Sequence, residues 1–158
     1  MTRLPEFTPF GDYTVHRFIK AGLYNDSYIV KDGLAGLHAA GLRLAICTSR
    51  SSASLHTLLD MLEIGPYFSA LTNNEDVIHP KPAPDLALLL LERLGARPEE
   101  SLVVGDTVFD LQMGRAAGCR ICGVTWGNQD RPQLESEYPE LIIDDFRELL
   151  AYCIERAD

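Results

Sequence analysis

From about residue 28 onward the chain alternates between two hydrophobic periods. Short apolar runs occupy residues 42–47, 68–71, 102–104, 121–125 and 141–143. Between them the apolar positions take helical spacing. Residues 30–40 place Val30, Leu34, Leu37 and Ala40 roughly on one face, and residues 52–63 do the same with Leu55, Leu58, Leu59 and Leu62. Residues 84–94 repeat it with Leu86, Leu89, Leu90 and Leu94, and 109–117 and 146–155 are the last two helical stretches. Ser52 is the predicted N-cap of the second helix. Gly41 and Gly95 follow the first and third, where a left-handed residue commonly ends a helix. Strands that are apolar throughout, separated by helices, predict a parallel sheet covered on both faces and joined by right-handed crossovers. The expected fold is therefore α/β, a three-layer sandwich with a mostly parallel, Rossmann-like sheet. Ligands of such sheets bind at the carboxyl ends of the strands, so chemistry is expected just after Cys47, Leu71, Val104 and Thr125. Residues 1–28 do not join this alternation. Pro5, Pro9, Gly11 and Gly22 interrupt them, aromatic residues are frequent, and residues 14–19 fit either a short strand or a helical turn.

Composition narrows the partners. The 158 residues suffice for one hydrophobic core, and 46% apolar with 23% charged residues is ordinary for a globular domain. Fourteen Lys and Arg against 23 Asp and Glu give a formal charge of −9. That balance argues against nucleic acid and anionic membranes, which need a basic footprint. A small phosphorylated ligand stays open, because a pocket can differ in sign from the whole. No apolar run approaches the ~20 residues of a membrane span, and the first residues lack the apolar core of a signal peptide. A cytoplasmic protein is expected, with Cys47, Cys119, Cys122 and Cys153 reduced.

Polar residues collect where the predicted strands end. Thr48-Ser49-Arg50 follows the first strand. A hydroxyl there, with the backbone N–H groups that open the next helix, can donate to an anion, and a plain helix cap explains the same residues. His79-Pro80-Lys81-Pro82-Ala83-Pro84-Asp85 fixes one lysine in a proline-stiffened loop just before a helix. Such a loop can present an ammonium to a phosphate oxygen, or simply lead into the helix with a solvated lysine. Val103-Val104-Gly105-Asp106-Thr107-Val108-Phe109-Asp110 sets two carboxylates four residues apart at a strand end. With a helix starting near Thr107, Asp106 and Asp110 converge as hard-oxygen ligands for Mg²⁺. The structural alternative makes Asp106 a cap and Asp110 a first-turn acid that complements the helix dipole. Gly114 and Ala116-Ala117-Gly118 keep that helix slim enough to approach the sheet. Cys119-Arg120-Ile121-Cys122 has no second pair to complete a zinc site, and its two thiols are expected on opposite faces of a strand. Asn128, Gln129 and Arg131 follow the strand ending at Thr125 without an assignable role. Trp126 either lines the mouth of the site or covers the sheet end. His79 adjoins the lysine loop, and His16, His38 and His56 form no ligand pattern.

Taken in order, these segments resemble the haloacid dehalogenase-like (HAD) hydrolase superfamily. Thr48 matches its second motif, Lys81 in Lys-Pro-x-Pro-Asp its third, and Gly105-Asp106-Thr107-x-x-Asp110 its fourth. The Ala-Ala-Gly that follows, and Gly123-Val124-Thr125-Trp126-Gly127, look like the phosphoglycolate-phosphatase-like branch. Three motifs in order, each at a strand end, are a specific signal. The resemblance covers about residues 29–155 and implies hydrolysis of phosphate monoesters with Mg²⁺ through an aspartyl-phosphate. It makes Thr48, Lys81 and Asp106 catalytic, Thr48, Ser49 and Lys81 phosphate-binding, and Asp106 and Asp110 metal ligands.

The same resemblance exposes a gap. The family's first motif, Asp-x-Asp-Gly-Thr, supplies nucleophile and general acid/base at the end of a central strand, and no Asp-x-Asp occurs anywhere in this chain. Asp12 and Asp26 are the nearest N-terminal aspartates, and neither follows an apolar strand. Residues 29–158 are read as the core domain, and residues 1–28 as a remnant or replacement of a cap domain that is reduced or absent. The missing strand belongs between the one ending at Cys47 and the one ending at Val104. Its loss exposes two hydrogen-bonding edges and apolar surface. Residues 14–19, a strand donated by another chain (a homo-oligomer included), or sequence preceding Met1 are the expected fillers. Without the nucleophile, activity is expected to be impaired or lost. A silent binding or interaction module of the same fold is the alternative.

Overall fold

A computed structural model describes residues 24–157. In order, the elements are α1 (Tyr24–Ala39), β1 (Leu44–Thr48), α2 (Ser52–Leu62), β2 (Phe68–Asn73), α3 (Asp85–Leu94), β3 (Leu102–Gly105), α4 (Val108–Ala116), β4 (Arg120–Val124), α5 (Arg131–Glu135), β5 (Leu141–Ile143) and α6 (Phe146–Ala157). Short 3-10 turns at Gly65–Tyr67 and Pro98–Glu100 lead into β2 and β3. Among the described residues every strand and helix predicted after residue 28 is present, and every strand pairing is parallel. The differences lie at the ends. The first helix spans Tyr24–Ala39 rather than starting at residue 30. The cap of α2 is Ser51, whose side chain accepts the Ser54 N–H, and Ser52 is the first helical residue. Residues 14–19, and Asp12, lie outside the described residues. Asp26 falls inside α1 and not at a strand end.

Alternating side chains build two apolar layers, one on each face of the sheet. Ile46, Cys122 and Val124 pack with Leu34 and Leu37 of α1, with Leu55, Leu58 and Leu59 of α2, and with Phe146 and Leu149 of α6. Cys47 and Val103 instead face Leu86 and Ala87 of α3 and Met113 of α4. Ile121 packs on Leu111 of α4 and Leu134 of α5. Strand neighbours thus serve opposite layers, as a period of two requires, and the three-layer sandwich follows. Two glycines set how closely helices approach. A Cβ on Gly114 would lie 2.8 Å from Ile121 and Val103 side-chain atoms, so the slim helix read from the sequence does rest against the strands. A Cβ on Gly33 would lie 2.2 Å from the Phe146 ring, so α1 crosses α6 at a point where only glycine fits.

The sheet is broken where the resemblance places the missing strand. Among the described residues β1 pairs with β2, and β3 with β4 and then β5, while no strand joins β1 to β3. A cleft of about 480 Å³ lies between their facing edges, lined by Leu44, Ala45, Ile46 and Cys47 on one side and by Leu102, Val103 and Val104 on the other. A water takes roughly 30 Å³ of liquid, so the break is room for a segment of chain and not a packing flaw.

Candidate active site at the carboxyl ends of the strands

The three motif segments meet at one end of the two half-sheets. β1 delivers Thr48, which is 1% exposed. Its hydroxyl oxygen accepts the Arg50 N–H at 3.1 Å. A hydroxyl has one proton and two lone pairs, so Thr48 can still donate. Ser49, next along, is exposed at the same corner.

β3 runs into Asp106, fully buried, and Thr107 then caps α4. Asp110 closes a capping box with it. The Asp110 Oδ2 accepts the Thr107 N–H at 3.0 Å, the Thr107 hydroxyl at 2.9 Å and the Asp106 N–H at 3.1 Å. Three donors on one oxygen suit an ionised carboxylate, which is acceptor-only. The other oxygen, Oδ1, accepts the Lys81 ammonium at 3.2 Å, and the same ammonium donates to the Cys47 carbonyl at 3.1 Å. Lys81 therefore ties together the end of β1, the proline loop before α3 and the first turn of α4. Its side chain is 5% exposed and that of Asp110 2%. Burial pushes the Lys81 ammonium below the ordinary lysine range, against the pull of Asp110 and Asp106. Burial likewise pushes the Asp110 carboxyl up, opposed by Lys81 and the Thr107 donors. Each burial penalty falls on the charged form, and the pairing is what keeps both charges in place.

The loop after β4 completes the site, and sequence reasoning left its residues unassigned. The Asn128 N–H donates to Asp106 Oδ2 at 2.7 Å, and the Gln129 N–H donates to the Asp106 carbonyl at 3.2 Å. The Gln129 side-chain carbonyl accepts the Val108 N–H at 2.6 Å. Gly127 permits this wrap, since a Cβ there would sit 2.2 Å from the Asp106 Cβ. Gly105 does the same for Asp110, at 2.2 Å. Arg131 turns away and pairs with Asp144 at 2.8 Å. Trp126 packs on Phe146 with ring centroids 6.3 Å apart, covering the sheet end. His79 lies 3.1 Å from Asp85 on the exposed side of the loop. Burial pushes the Cys47 and Cys122 thiols up to about 12, so neither is a thiolate at neutral pH.

The donor set fits a hard divalent cation. Asp106 presents a buried carboxylate at the strand end, with the Asp110 carboxylate one helical turn on. Magnesium binds through one or two protein carboxylates plus water and phosphate oxygens. The Asp110 oxygens are engaged by Lys81, Thr107 and the Asp106 N–H, and Asp106 Oδ2 by the Asn128 N–H. Among the described residues no cluster of three or more His, Cys, Asp or Glu offers a closed cage. A full set would draw on substrate and water.

Comparison with known proteins identifies the family. The haloacid dehalogenase-like hydrolase family profile matches residues 20–124. Phosphoglycolate phosphatase of Salmonella typhimurium is 40% identical over 121 residues, 77% of this chain and 48% of its own length. The Escherichia coli K12 phosphoglycolate phosphatase is 37% identical over the same shares. The crystal structure of a predicted phosphoglycolate phosphatase from Haemophilus somnus superposes with a TM-score of 0.73 at 29% identity, covering 78% of this chain and 55% of that one. The chain spans about half the length of the curated relatives it matches. No helix among the described residues is long and apolar enough to cross a membrane. Motif order, site geometry and family profile coincide: the chain belongs to the haloacid dehalogenase-like hydrolase family.

Proposed function

We propose that these residues form the phosphate- and metal-handling part of a Mg²⁺-dependent phosphomonoester hydrolase of the phosphoglycolate-phosphatase type. We also propose that the 158 residues alone turn over poorly or not at all. The observation that carries the reading is the Lys81 bridge. One ammonium joins the strand that ends in Thr48 to the helix turn that follows Asp106, so all three motifs face the same point.

Each group then has a physical task. The Thr48 hydroxyl and the N–H groups opening α2 donate to phosphoryl oxygens. Ser49, exposed beside them, adds a donor on the solvent side. Lys81 places positive charge where a phosphate carries negative charge, in a site dry enough for that charge to count. Asp110 positions Lys81 and Asp106. Asp106 and Asp110 are the carboxylates for Mg²⁺. Bound Mg²⁺ supplies charge neutralisation of the phosphate and helps align in-line attack. The remaining requirement is a nucleophile. The sequence has no Asp-x-Asp, and on this reading the aspartyl-phosphate route lacks its nucleophile in these 158 residues. The assigned ligand is a small phosphorylated molecule, and cytoplasmic residence is part of the same reading.

The test pairs binding with turnover. Inorganic phosphate titrated in the presence of Mg²⁺ is expected to bind, more weakly in Lys81→Ala, while a generic aryl phosphate is hydrolysed at or near the blank rate. Strong Mg²⁺-dependent hydrolysis lost in Asp106→Asn would mean that a nucleophile is present after all. Absence of phosphate binding would remove the phosphatase reading altogether.

A further inference from the structure

We propose that Gln129 is a positioning residue: through the loop after β4 it fixes the orientation of the Asp106 carboxylate, and so the Mg²⁺ affinity of the site. The link to Mg²⁺ rests on the phosphatase reading, and the link to the carboxylate does not. Gln129 grips the segment that carries Asp106 twice. Its backbone N–H donates to the Asp106 carbonyl at 3.2 Å, and its side-chain oxygen accepts the Val108 N–H at 2.6 Å. The two contacts bracket residues 106 to 108. The residue just before it, Asn128, donates its backbone N–H to Asp106 Oδ2 at 2.7 Å. Where Gln129 is held, the Asn128 N–H is held, and with it one oxygen of the carboxylate. Partners that orient a metal-ligating carboxylate in this way set its affinity as much as the ligand itself does.

The side chain carries most of this grip. The backbone contact, at 3.2 Å, lies at the long end of the N–H···O range, and the side-chain contact is short. The N–H groups of a helix's first turn have no partner within the helix. The capping box of α4 serves those of Thr107 and Asp110. The Val108 N–H is met instead by Gln129, 21 residues further along the chain. The atom that faces an N–H must be an acceptor, which assigns the Gln129 oxygen, and not its NH₂ group, to this contact. The loop is also fastened at both feet. The Thr125 hydroxyl donates to Asp144 Oδ1 at 2.6 Å, and the Arg131 guanidinium donates to both Asp144 oxygens at 2.8 Å. Asp130, next to Gln129, caps α5 through its own capping box. Residues 125–131 therefore form an arch with both feet on Asp144 and its middle resting on Asp106. Gln129 is the one side chain of the arch that reaches the turn between Asp106 and α4 among the described contacts.

The test compares Gln129→Met, which keeps the length and removes the acceptor, with Gln129→Glu, which keeps an acceptor oxygen. In the full chain without metal, the Val108 and Asn128 amides of Gln129→Met are expected to exchange about tenfold faster than the parent's. The Asp106 carboxyl carbon resonance is expected to shift in the same variant. In calorimetric titration its Mg²⁺ affinity is expected to fall about tenfold. Gln129→Glu is expected to return the amides and the resonance to the parent's values and to bind Mg²⁺ no more weakly than the parent. Leu59→Val, a core truncation in α2, is expected to lower the melting temperature and leave all three readouts unchanged. Parent-like exchange and resonance in Gln129→Met would overturn the proposal. So would an unchanged Mg²⁺ affinity in a chain whose Asp106→Asn variant loses Mg²⁺, failure of Gln129→Glu to restore the amides, or an equal effect of Leu59→Val. Mg²⁺ binding that is absent from the parent, or indifferent to Asp106→Asn, would count against the phosphatase reading. In that case exchange and the carboxyl resonance, which need no metal, decide whether Gln129 positions Asp106.

Discussion

Lys81 and Asp110 form a buried pair, and the physics of such pairs predicts asymmetric consequences. Lys81→Ala leaves the Asp110 carboxylate buried without its counter-charge, while Thr107 still donates to it. Removing one partner of a buried pair costs about 3–5 kcal/mol, and urea unfolding at neutral pH is expected to show a loss of about 3 kcal/mol. A loss below about 1 kcal/mol would mean that the pair is solvated. Gly127→Ala acts on the same centre from the other side. Its Cβ would meet the Asp106 Cβ, a backbone-near atom that cannot swing aside. Overpacking of this kind costs about 1–3 kcal/mol, and the displaced Asp106 is expected to lose its response to Mg²⁺ in a metal titration. An unchanged Mg²⁺ response would separate Asp106 from the metal.

At the scale of elements, two contacts are testable. Gly33 lies against the Phe146 ring where α1 crosses α6. Gly33→Ala is expected to destabilise by about 1–3 kcal/mol, despite alanine's better helix propensity of up to about 1 kcal/mol. Thermal unfolding decides which effect wins. On the other face, Glu137 accepts from Arg115 at 2.7 Å and Gln112 at 2.7 Å, tying α4 to the turn after α5. These donors hold the Glu137 carboxyl below the usual carboxylate range. A depressed pKa adds stability that is present above the unfolded-state value and is lost as pH falls through the folded-state value. Glu137→Gln is therefore expected to destabilise by at most about 1 kcal/mol at pH 7, with the difference starting to shrink as pH falls below about 4.3, the unfolded glutamate value, and gone once it has fallen through the lower folded-state value. A difference that grows in acid would contradict the sign.

Elements of this kind were largely legible in the sequence. Consecutive apolar residues in short runs, and leucines at helical spacing, mark β1 to β5 and the long helices because burial on both faces demands them. The five-residue α5, Arg131–Glu135, escaped because it presents a single buried leucine, Leu134, too little for a period. The Asp106–Asp110 pair was legible as two carboxylates, but not as a division of labour. Asp110 doubles as the capping-box residue and the partner of Lys81, which depends on where residue 81 arrives in space. The hold of Asn128 and Gln129 on Asp106 uses backbone N–H groups, which carry no side-chain signature.

At the scale of the molecule, charge and topology set the conditions of function. The chain carries a formal charge of −9, so an approaching phosphate is repelled until it reaches the Lys81 corner. Screening shortens that repulsion, from a reach of roughly 30 Å at 0.01 M salt to about 8 Å at 0.15 M. Phosphate association is expected to speed up with added NaCl, the reverse of attractively steered binding, and stopped-flow measurements across that range decide it. A rate that falls with salt would place an attractive field at the mouth. The break between β1 and β3 is the other global feature. It separates the strand that ends in Thr48 from the strand that ends at Gly105, and Lys81 bridges the two across it.

The central claim is that the motif segments of both half-sheets form one phosphate- and Mg²⁺-binding site. The most direct measurement is calorimetric titration of inorganic phosphate into the full chain with and without Mg²⁺, repeated for Asp106→Asn. Site coupling of this kind is typically about 5–150-fold. The account predicts phosphate binding that Mg²⁺ strengthens by at least fivefold, with the enhancement gone in the variant. Phosphate binding indifferent to Mg²⁺, or an enhancement that survives Asp106→Asn, would contradict it.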